Sequence, residues 1–409
     1  MITVFRNARV WDGHSAEAME GASVVVENER IREVSAQVKL ADTNVVDCGG
    51  RFLMPGLIDA HFHAYSPSFD IFANEHMPPA LLASHAAKVL EGTLKRGFTT
   101  VRDAAGGDIG LALAIEQGLI AGPRFFFSGK ALSQTGGHGD FRPGNRIEPC
   151  GCGSYGGALS VLADGVDGVR AAAREELRKG AHQIKIFVSG GGLSPTDPMW
   201  MNQYTAEEIQ AAVYEAQTRR TYVMAHSHTD EGARRCAELG VRTIEHGSLI
   251  HLDSTAKVIR ERDAYVVPTL SVVDVLSRHA HELSLPPMTL EKLKGIKEAM
   301  HGSVEVCTRA GVKLGFGTDL MDHRFHPHQG GEFELRGETG KPLDVLRSAT
   351  SVNAEILQKS DELGCIRPGA YADLLVLAKD PFKDLSLFRS PEVNIPLVMK
   401  GGVFVRNDL

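Results

Sequence analysis

Two histidines one residue apart, His61 and His63 in Asp59-Ala-His-Phe-His, stand out among the side chains that could do chemistry. Four more groups of metal-ligating type follow: Lys185, His226, His246 and Asp319. Residues i and i+2 of a strand point the same way, so both imidazoles of the first pair can reach one cation. Each remaining group lies in or at the end of an apolar run. A lone histidine in such a run is more often a hydrogen-bonded core residue. Six groups at corresponding strand ends instead suit a two-metal hydrolytic site, and the chain reads as an enzyme.

Lys185 lies inside Gln183-Ile-Lys-Ile-Phe-Val-Ser, where an unpaired ammonium is costly to bury. Two neighbouring cations would also repel it. Carboxylation of its amine by CO2 would turn it into an anionic ligand able to bridge two ions. Pairing with a carboxylate is the plainer reading of the lysine alone; the histidines around it favour the carbamate.

Eight short apolar runs alternate with helical patterns through the middle of the chain, the signature of repeated βα units. They are Leu57–His61, Thr99–Asp103, Arg124–Ser128, Gln183–Ser189, Thr221–His226, Thr243–His246, Tyr265–Thr269 and Lys313–Asp319. Helices are expected at Ala80–Arg96, Val166–Lys179, Ala206–Thr218 and Glu231–Leu239. The fold class is therefore α/β, a (β/α)8 TIM barrel over residues 56–359. Both ends of the chain alternate apolar and polar residues, which predicts a small β-sandwich domain from residues 1–55 plus 360–409. Function in such a barrel sits at the C-terminal strand ends, where all six groups fall. The Gly- and Pro-rich stretch Gly129–Leu162 reads as an active-site loop.

The 409 residues suffice for one large barrel and a satellite. Net charge is −7 with both signs mixed along the chain, and no basic run points to nucleic acid. The N-terminus lacks signal-peptide features, and no apolar stretch approaches the ~18 residues of a membrane span. The six cysteines (Cys48, Cys150, Cys152, Cys236, Cys307, Cys365) are dispersed, and Cys150-Gly-Cys152 is too short for usual zinc spacing. Reduced thiols in a cytoplasmic protein are expected.

From Asn7-Ala-Arg-Val-Trp-Asp-Gly and Met54-Pro-Gly-Leu-Ile-Asp-Ala-His-Phe-His to Gly317-Thr-Asp and Pro368-Gly-Ala-Tyr-Ala-Asp-Leu-Leu-Val, the chain resembles the amidohydrolase superfamily nearly end to end. Within it, the likeness is to the imidazolonepropionase-related metallopeptidases that act as prolidases and carboxypeptidases. The resemblance implies that His61, His63 and Asp319 hold a buried ion, and His226 and His246 a more exposed one. Carboxylated Lys185 would bridge the two, and zinc is the expected metal. Asp319 would move the proton from attacking water to the leaving nitrogen. His138, in Ser133-Gln-Thr-Gly-Gly-His-Gly-Asp, matches a family histidine that donates to the scissile carbonyl.

Relatives release a C-terminal amino acid, and commonly place a tyrosine two residues after the fifth-strand histidine. Here that position is His228, a residue able to bind a carboxylate. Arg324 and His323 are possible substitutes; His326 and His328 lie nearby in sequence. The segment Pro268-Thr-Leu-Ser-Val-Val-Asp-Val-Leu would shape a loop around an apolar leaving-group pocket, favouring proline or another hydrophobic residue, with Asp274 the one feature against. The expected substrates are dipeptides or N-acyl amino acids. The alternative is another small or cyclic amide, such as a lactam, ureide, imidazolone or xenobiotic. Mononuclear deaminases generally lack the fourth-strand lysine, and a metal-free interaction module would not keep all six ligands. A homo-oligomer is expected, and the Ser194–Tyr204 stretch could cover the site or form a subunit contact.

Overall fold

The computed structural model of the chain describes residues 2–36, 44–75, 77–142, 159–194 and 196–409. Five strands open the chain: β1 (Ile2–Val10), β2 (Met19–Glu27), β3 (Arg30–Ser35), β4 (Asn44–Asp47) and β5 (Phe52–Pro55). The middle carries β6 (Leu57–Phe62), β7 (Phe98–Asp103), β8 (Arg124–Phe127), β9 (Ala131–Ser133), β10 (Ser160–Leu162), β11 (Ile184–Phe187), β12 (Val223–Thr229), β13 (Thr243–Leu249) and β14 (Tyr265–Val267). Three more strands close it: β15 (Leu374–Leu377), β16 (Leu397–Lys400) and β17 (Val403–Asn407).

The terminal strands share one eight-stranded sheet, ordered β17-β16-β15-β5-β1-β2-β3 with β4 also on β1. It is one connected sheet, not the two separately paired sheets expected of a sandwich. The reason is the length of β1, which pairs with β4 over Thr3–Arg6 and with β5 at Arg9–Val10. Period-two alternation gives the sheet two apolar faces. Leu53, Leu374, Val376, Leu397 and Met399 join one cluster, and Phe52, Met54, Leu375, Leu377 and Val398 another. The second cluster also takes in Phe98, Phe316 and Phe333, which fastens this sheet to the central strands.

The central strands are parallel and form two arcs, β6-β7-β8 and β10-β9-β11-β12-β13-β14. Single backbone bonds cross the seams between the arcs. At one seam His182 N donates to Phe127 O (2.8 Å); inside the longer arc β9 meets β11 at the single pair Leu132 and Ile186. At the other seam the expected strand Lys313–Asp319 is not a regular strand among the described residues. Beyond an isolated bridge from Leu314 to Val266 it makes individual bonds: Gly315 N to Val266 O (2.8 Å), Ala60 N to Phe316 O (2.8 Å) and Asp319 N to His61 O (2.8 Å).

The four expected helices appear as Pro79–Lys95, Gly165–Arg178, Ala206–Thr218 and Asp230–Glu238. Thr205-Ala-Glu-Glu starts one of them with a capping box in which Thr205 Oγ1 accepts from Glu208 N and Glu208 Oε2 from Thr205 N. Two expectations change. Gly129–Leu162 contains β9 and β10, and the expected loop after β14 is the helix Leu270–Arg278, which begins two residues after Pro268. Residues 143–158 of the first stretch, with Cys150 and Cys152, lie outside the described residues. Cys48, Cys236, Cys307 and Cys365 are free and buried. Among the described residues no helix is long and apolar enough to cross a membrane.

Candidate metal centre

All six ligand-type residues line one pocket, together with His138 and His228. Lys185 and Phe187 face it from β11, and His226 and His228 from β12, as i, i+2 pairs should. On β13 the alternation breaks. Glu245 reaches His61 and the adjacent His246 also lines the pocket, although neighbouring strand residues ordinarily face opposite sides. A left-handed backbone at His246 (φ 70°) turns its ring inward. Asp319 is likewise left-handed, at φ 55°. Both residues take this sparsely populated conformation and both line the pocket.

The donors fall into two groups, His61/His63/Asp319 and His226/His228/His246, with ligand atoms within 4.8 Å of one another in each. His61 Nδ1 lies 2.7 Å from Glu245 Oε2. Burial pushes the Glu245 carboxyl up, but Arg102 and His61 outweigh it and hold it near 2. Burial pulls the His61 imidazole down to about 4. A neutral His61 therefore gives its one N–H to Glu245 and turns a lone pair on Nε2 toward Asp319 Oδ1, 3.4 Å away. His63 Nε2 converges on the same oxygen at 3.0 Å. Burial raises the Asp319 carboxyl, yet the hydrogen bond from His63 and the charge of Lys185 help keep it below its ordinary range, so it is an anion. A lone pair facing a carboxylate is repulsive unless a cation lies between them, and these residues fit a metal ion on that ground.

The second group is three buried imidazoles. His226 and His246 are driven well down by burial and by neighbouring histidines, and His228 to about 3 by burial and His138. The His228 and His246 rings stack at 4.8 Å, and His246 Nδ1 is held by Thr269 Oγ1 at 2.7 Å. Lys185 is buried beside Glu245 and Asp319 but forms no ion pair with any described residue. Burial lowers its amine to about 8.

His138 stacks on His226 at 4.2 Å, with its Nδ1 held by Ser194 Oγ (2.7 Å) and Asp197 Oδ2 (3.6 Å). The turn carrying Ser194 and Asp197 is tied down by Lys292 Nζ, which donates to the carbonyls of Gly191, Ser194 and Asp197. Gly191 is obligatory because a Cβ there would run into the His138 ring. Trp200, farther along the same stretch, is exposed.

Other expected residues lie elsewhere. Arg324 is committed to Asp322 and Glu282, and His323 packs its ring, tilted, against His85 outside the pocket. His326 is buried behind Phe62, His328 sits near Phe325, and Asp274 pairs with Arg278 away from the donors. Sequence reasoning missed Glu245 and Arg102. Arg102 is wholly buried and donates to Glu245 (2.9 Å), Thr243 (3.0 Å) and Ala60 O (2.7 Å). A charged residue inside each of the apolar strands Thr243-Ile-Glu-His and Thr99-Thr-Val-Arg was the available signal.

A parallel α/β core with ligand groups at its strand ends is the setting of a metal-dependent hydrolase. The amidohydrolase family model matches residues 52–405, and the chain belongs to that family, a hydrolase acting on amide bonds with a TIM-barrel-type α/β fold. Ochratoxinase from Aspergillus niger is 30% identical over 372 residues, covering 86% of this chain and 75% of that one. A prolidase solved with N-methylphosphonate-L-proline superimposes with TM-score 0.95 at 44% identity over 100% of both chains. An Xaa-Pro dipeptidase solved with methionine in its active site gives TM-score 0.89 at 28% identity over 99% of both chains.

Proposed function

We propose that this chain is a binuclear metallo-amidohydrolase that releases a C-terminal amino acid, proline or another hydrophobic residue, from dipeptides or N-acyl amino acids. The observation that carries the reading is the pairing of two donor groups with an apolar wall in one pocket. Val272, Val273, Leu276, Leu293, Ile296 and Met321 form that wall. Such a surface suits an apolar side chain and offers no counter-charge to a lysine or arginine. The likeness to a prolidase solved with a proline phosphonate supports the same reading.

His61, His63 and Asp319 would hold one divalent ion, and His226 and His246 the other, with zinc the metal suited to these ligands. Lys185, with an amine lowered by burial to about 8, is more often neutral near neutral pH than an exposed lysine. That free amine can add to CO2, releasing one proton and forming an N-carboxylate that would serve as a ligand shared by the two groups. When bound, the ions supply Lewis-acid polarisation of the amide carbonyl and lower the pKa of the attacking water.

The protein's own groups do the rest. Asp319, with Oδ1 against His61 of β6 and His63 just beyond it, takes the water proton and passes it to the leaving nitrogen. His138 presents Nε2 as a donor to the carbonyl oxygen in the tautomer whose Nδ1 accepts from the Ser194 hydroxyl. His228 binds the α-carboxylate, replacing the tyrosine of relatives. Zinc-loaded protein incubated with a pooled library of dipeptides and N-acyl amino acids should release proline or hydrophobic residues, read by mass spectrometry. Fully metallated protein that releases nothing would move the function to another class of amide.

A further inference from the structure

Lys292 stands in the helix Pro287–Ala310, whose Leu293 and Ile296 wall the metal pocket. Its own ammonium reaches the adjacent turn and donates to Gly191 O (3.0 Å), Ser194 O (3.2 Å) and Asp197 O (2.7 Å). Those bonds use all three of its protons. Burial lowers the amine, and the nearby Asp197 carboxylate offsets part of that. A lysine that spends its charge on three carbonyls of one turn fixes the shape of that turn.

The turn holds His138, the residue assigned above to the scissile carbonyl. His138 Nδ1 has Ser194 Oγ at 2.7 Å and Asp197 Oδ2 at 3.6 Å. The two neighbours ask for opposite tautomers. A hydroxyl that donates to Nδ1 leaves the ring proton on Nε2, free for a carbonyl oxygen. A carboxylate draws that proton to Nδ1 and leaves Nε2 a bare lone pair, which repels a carbonyl. Lys292 bears on both. Its charge opposes Asp197, whose Oδ2 is also occupied by Gly191 N (3.2 Å) and Gln203 Nε2 (3.1 Å). It also takes Gly191 O, the second acceptor near the Ser194 hydroxyl at 3.5 Å. The serine proton is thereby left for His138.

We infer that Lys292 is a positioning residue for the carbonyl donor: by holding the Ser194 turn and opposing Asp197 it keeps the His138 proton on Nε2. This rests on the function proposed above and deepens it. The test reads the tautomer directly, from the two ring 15N shifts of His138 in zinc-loaded, full-length enzyme, assigned by their loss in His138→Asn. Wild type should show a protonated Nε2 and a bare Nδ1. In Lys292→Met the gap between the two shifts should shrink or change sign as the second tautomer fills, and Lys292→Arg should restore it. Ser194→Ala should move the shifts the same way, a check that leaves Lys292 in place. With N-acetyl-L-proline and N-acetyl-L-leucine, Lys292→Met should lower kcat about tenfold, part of the roughly 10²–10³ that a whole oxyanion donor supplies. In a His138→Asn background the same substitution should cost nothing further. A wild-type Nδ1 that carries a proton, shifts unmoved in K292M, or an equal loss of kcat in both backgrounds would overturn the inference. No release by wild type with two ions bound would remove the substrate reading instead, while the ring shifts still decide the role of Lys292.

Discussion

The 3.2 Å contact between His228 Nδ1 and Ser248 Oγ gives the other ring nitrogen one of two characters. If Nδ1 accepts from the serine hydroxyl, Nε2 carries the proton and can donate to a carboxylate. If Nδ1 donates, Nε2 is a lone pair and His228 becomes a third imidazole beside His226 and His246. With the carboxylate role, His228→Phe should retain two ions per chain by metal analysis and raise KM about 10- to 100-fold, the value of a hydrogen bond to a charged group. Loss of one ion would assign the residue to the metal group instead. Glu245 acts one step farther out, through His61 and Arg102. Glu245→Gln should weaken metal affinity about 10- to 100-fold in chelator competition. It should also cost about 3–5 kcal/mol in denaturant unfolding of the metal-free protein, because Arg102 stays buried without its anion. Unchanged affinity would show that His61 is oriented by its strand alone.

At the scale of elements, the segment Lys313–Asp319 matters most, since it brings Asp319 to His61 without a regular ladder. Gly317 allows the approach: a Cβ there would lie 2.6 Å from His61 Cβ and 2.7 Å from Val267 Cγ1. Gly317→Ala should therefore destabilise the fold by about 1–3 kcal/mol and displace His61, lowering metal occupancy and kcat/KM together. Full occupancy in G317A would show that the segment yields at little cost. The other parallel strands were legible because β-branched and apolar runs between helical patterns are local signals. Lys313-Leu-Gly-Phe-Gly-Thr-Asp carries the same apolar signal, but its glycines permit an approach to β6 that is not ladder pairing. β9 was hidden for the opposite reason: three residues inside a Gly- and Pro-rich stretch show no periodicity, and only neighbours in space make them a strand.

For the molecule as a whole, one buried carboxyl ties helices far apart in sequence. Glu332, in the helix Gly331–Gly337, accepts from Leu270 N (3.3 Å) and Ser271 N (2.7 Å) at the start of the helix Leu270–Arg278, whose residues wall the pocket. Burial pushes this carboxyl up from its ordinary 4.5 to about 7. Between those values the folded state keeps a proton that the unfolded chain has lost, so stability falls as pH rises through the window. The contribution is on the order of 3 kcal/mol when fully developed. Glu332→Gln keeps an acceptor and cannot ionise, so its melting temperature relative to wild type should climb from pH 5 to pH 8. Parallel curves for the two proteins would show that Glu332 titrates normally.

The sequence by itself determined which residue types stand at which strand ends. His61, His63, Lys185, His226, His246 and Asp319 could be picked out because side-chain alternation and the strand–helix rhythm are properties of a few neighbouring residues. It also carried the joining of both termini, since each end shows its own strand pattern, but not their sharing of one connected sheet. Tertiary structure alone decided how those groups meet. Glu245 and His61 are 184 residues apart, and no local pattern couples them. The inward turn of His246 and the placing of His228 within a donor group depend likewise on how strands from distant parts of the chain close around a shared interior. Periodicity fixes the face a side chain takes on its own strand; contact across the interior is set by packing and by backbone reversals at single residues, which periodicity does not encode.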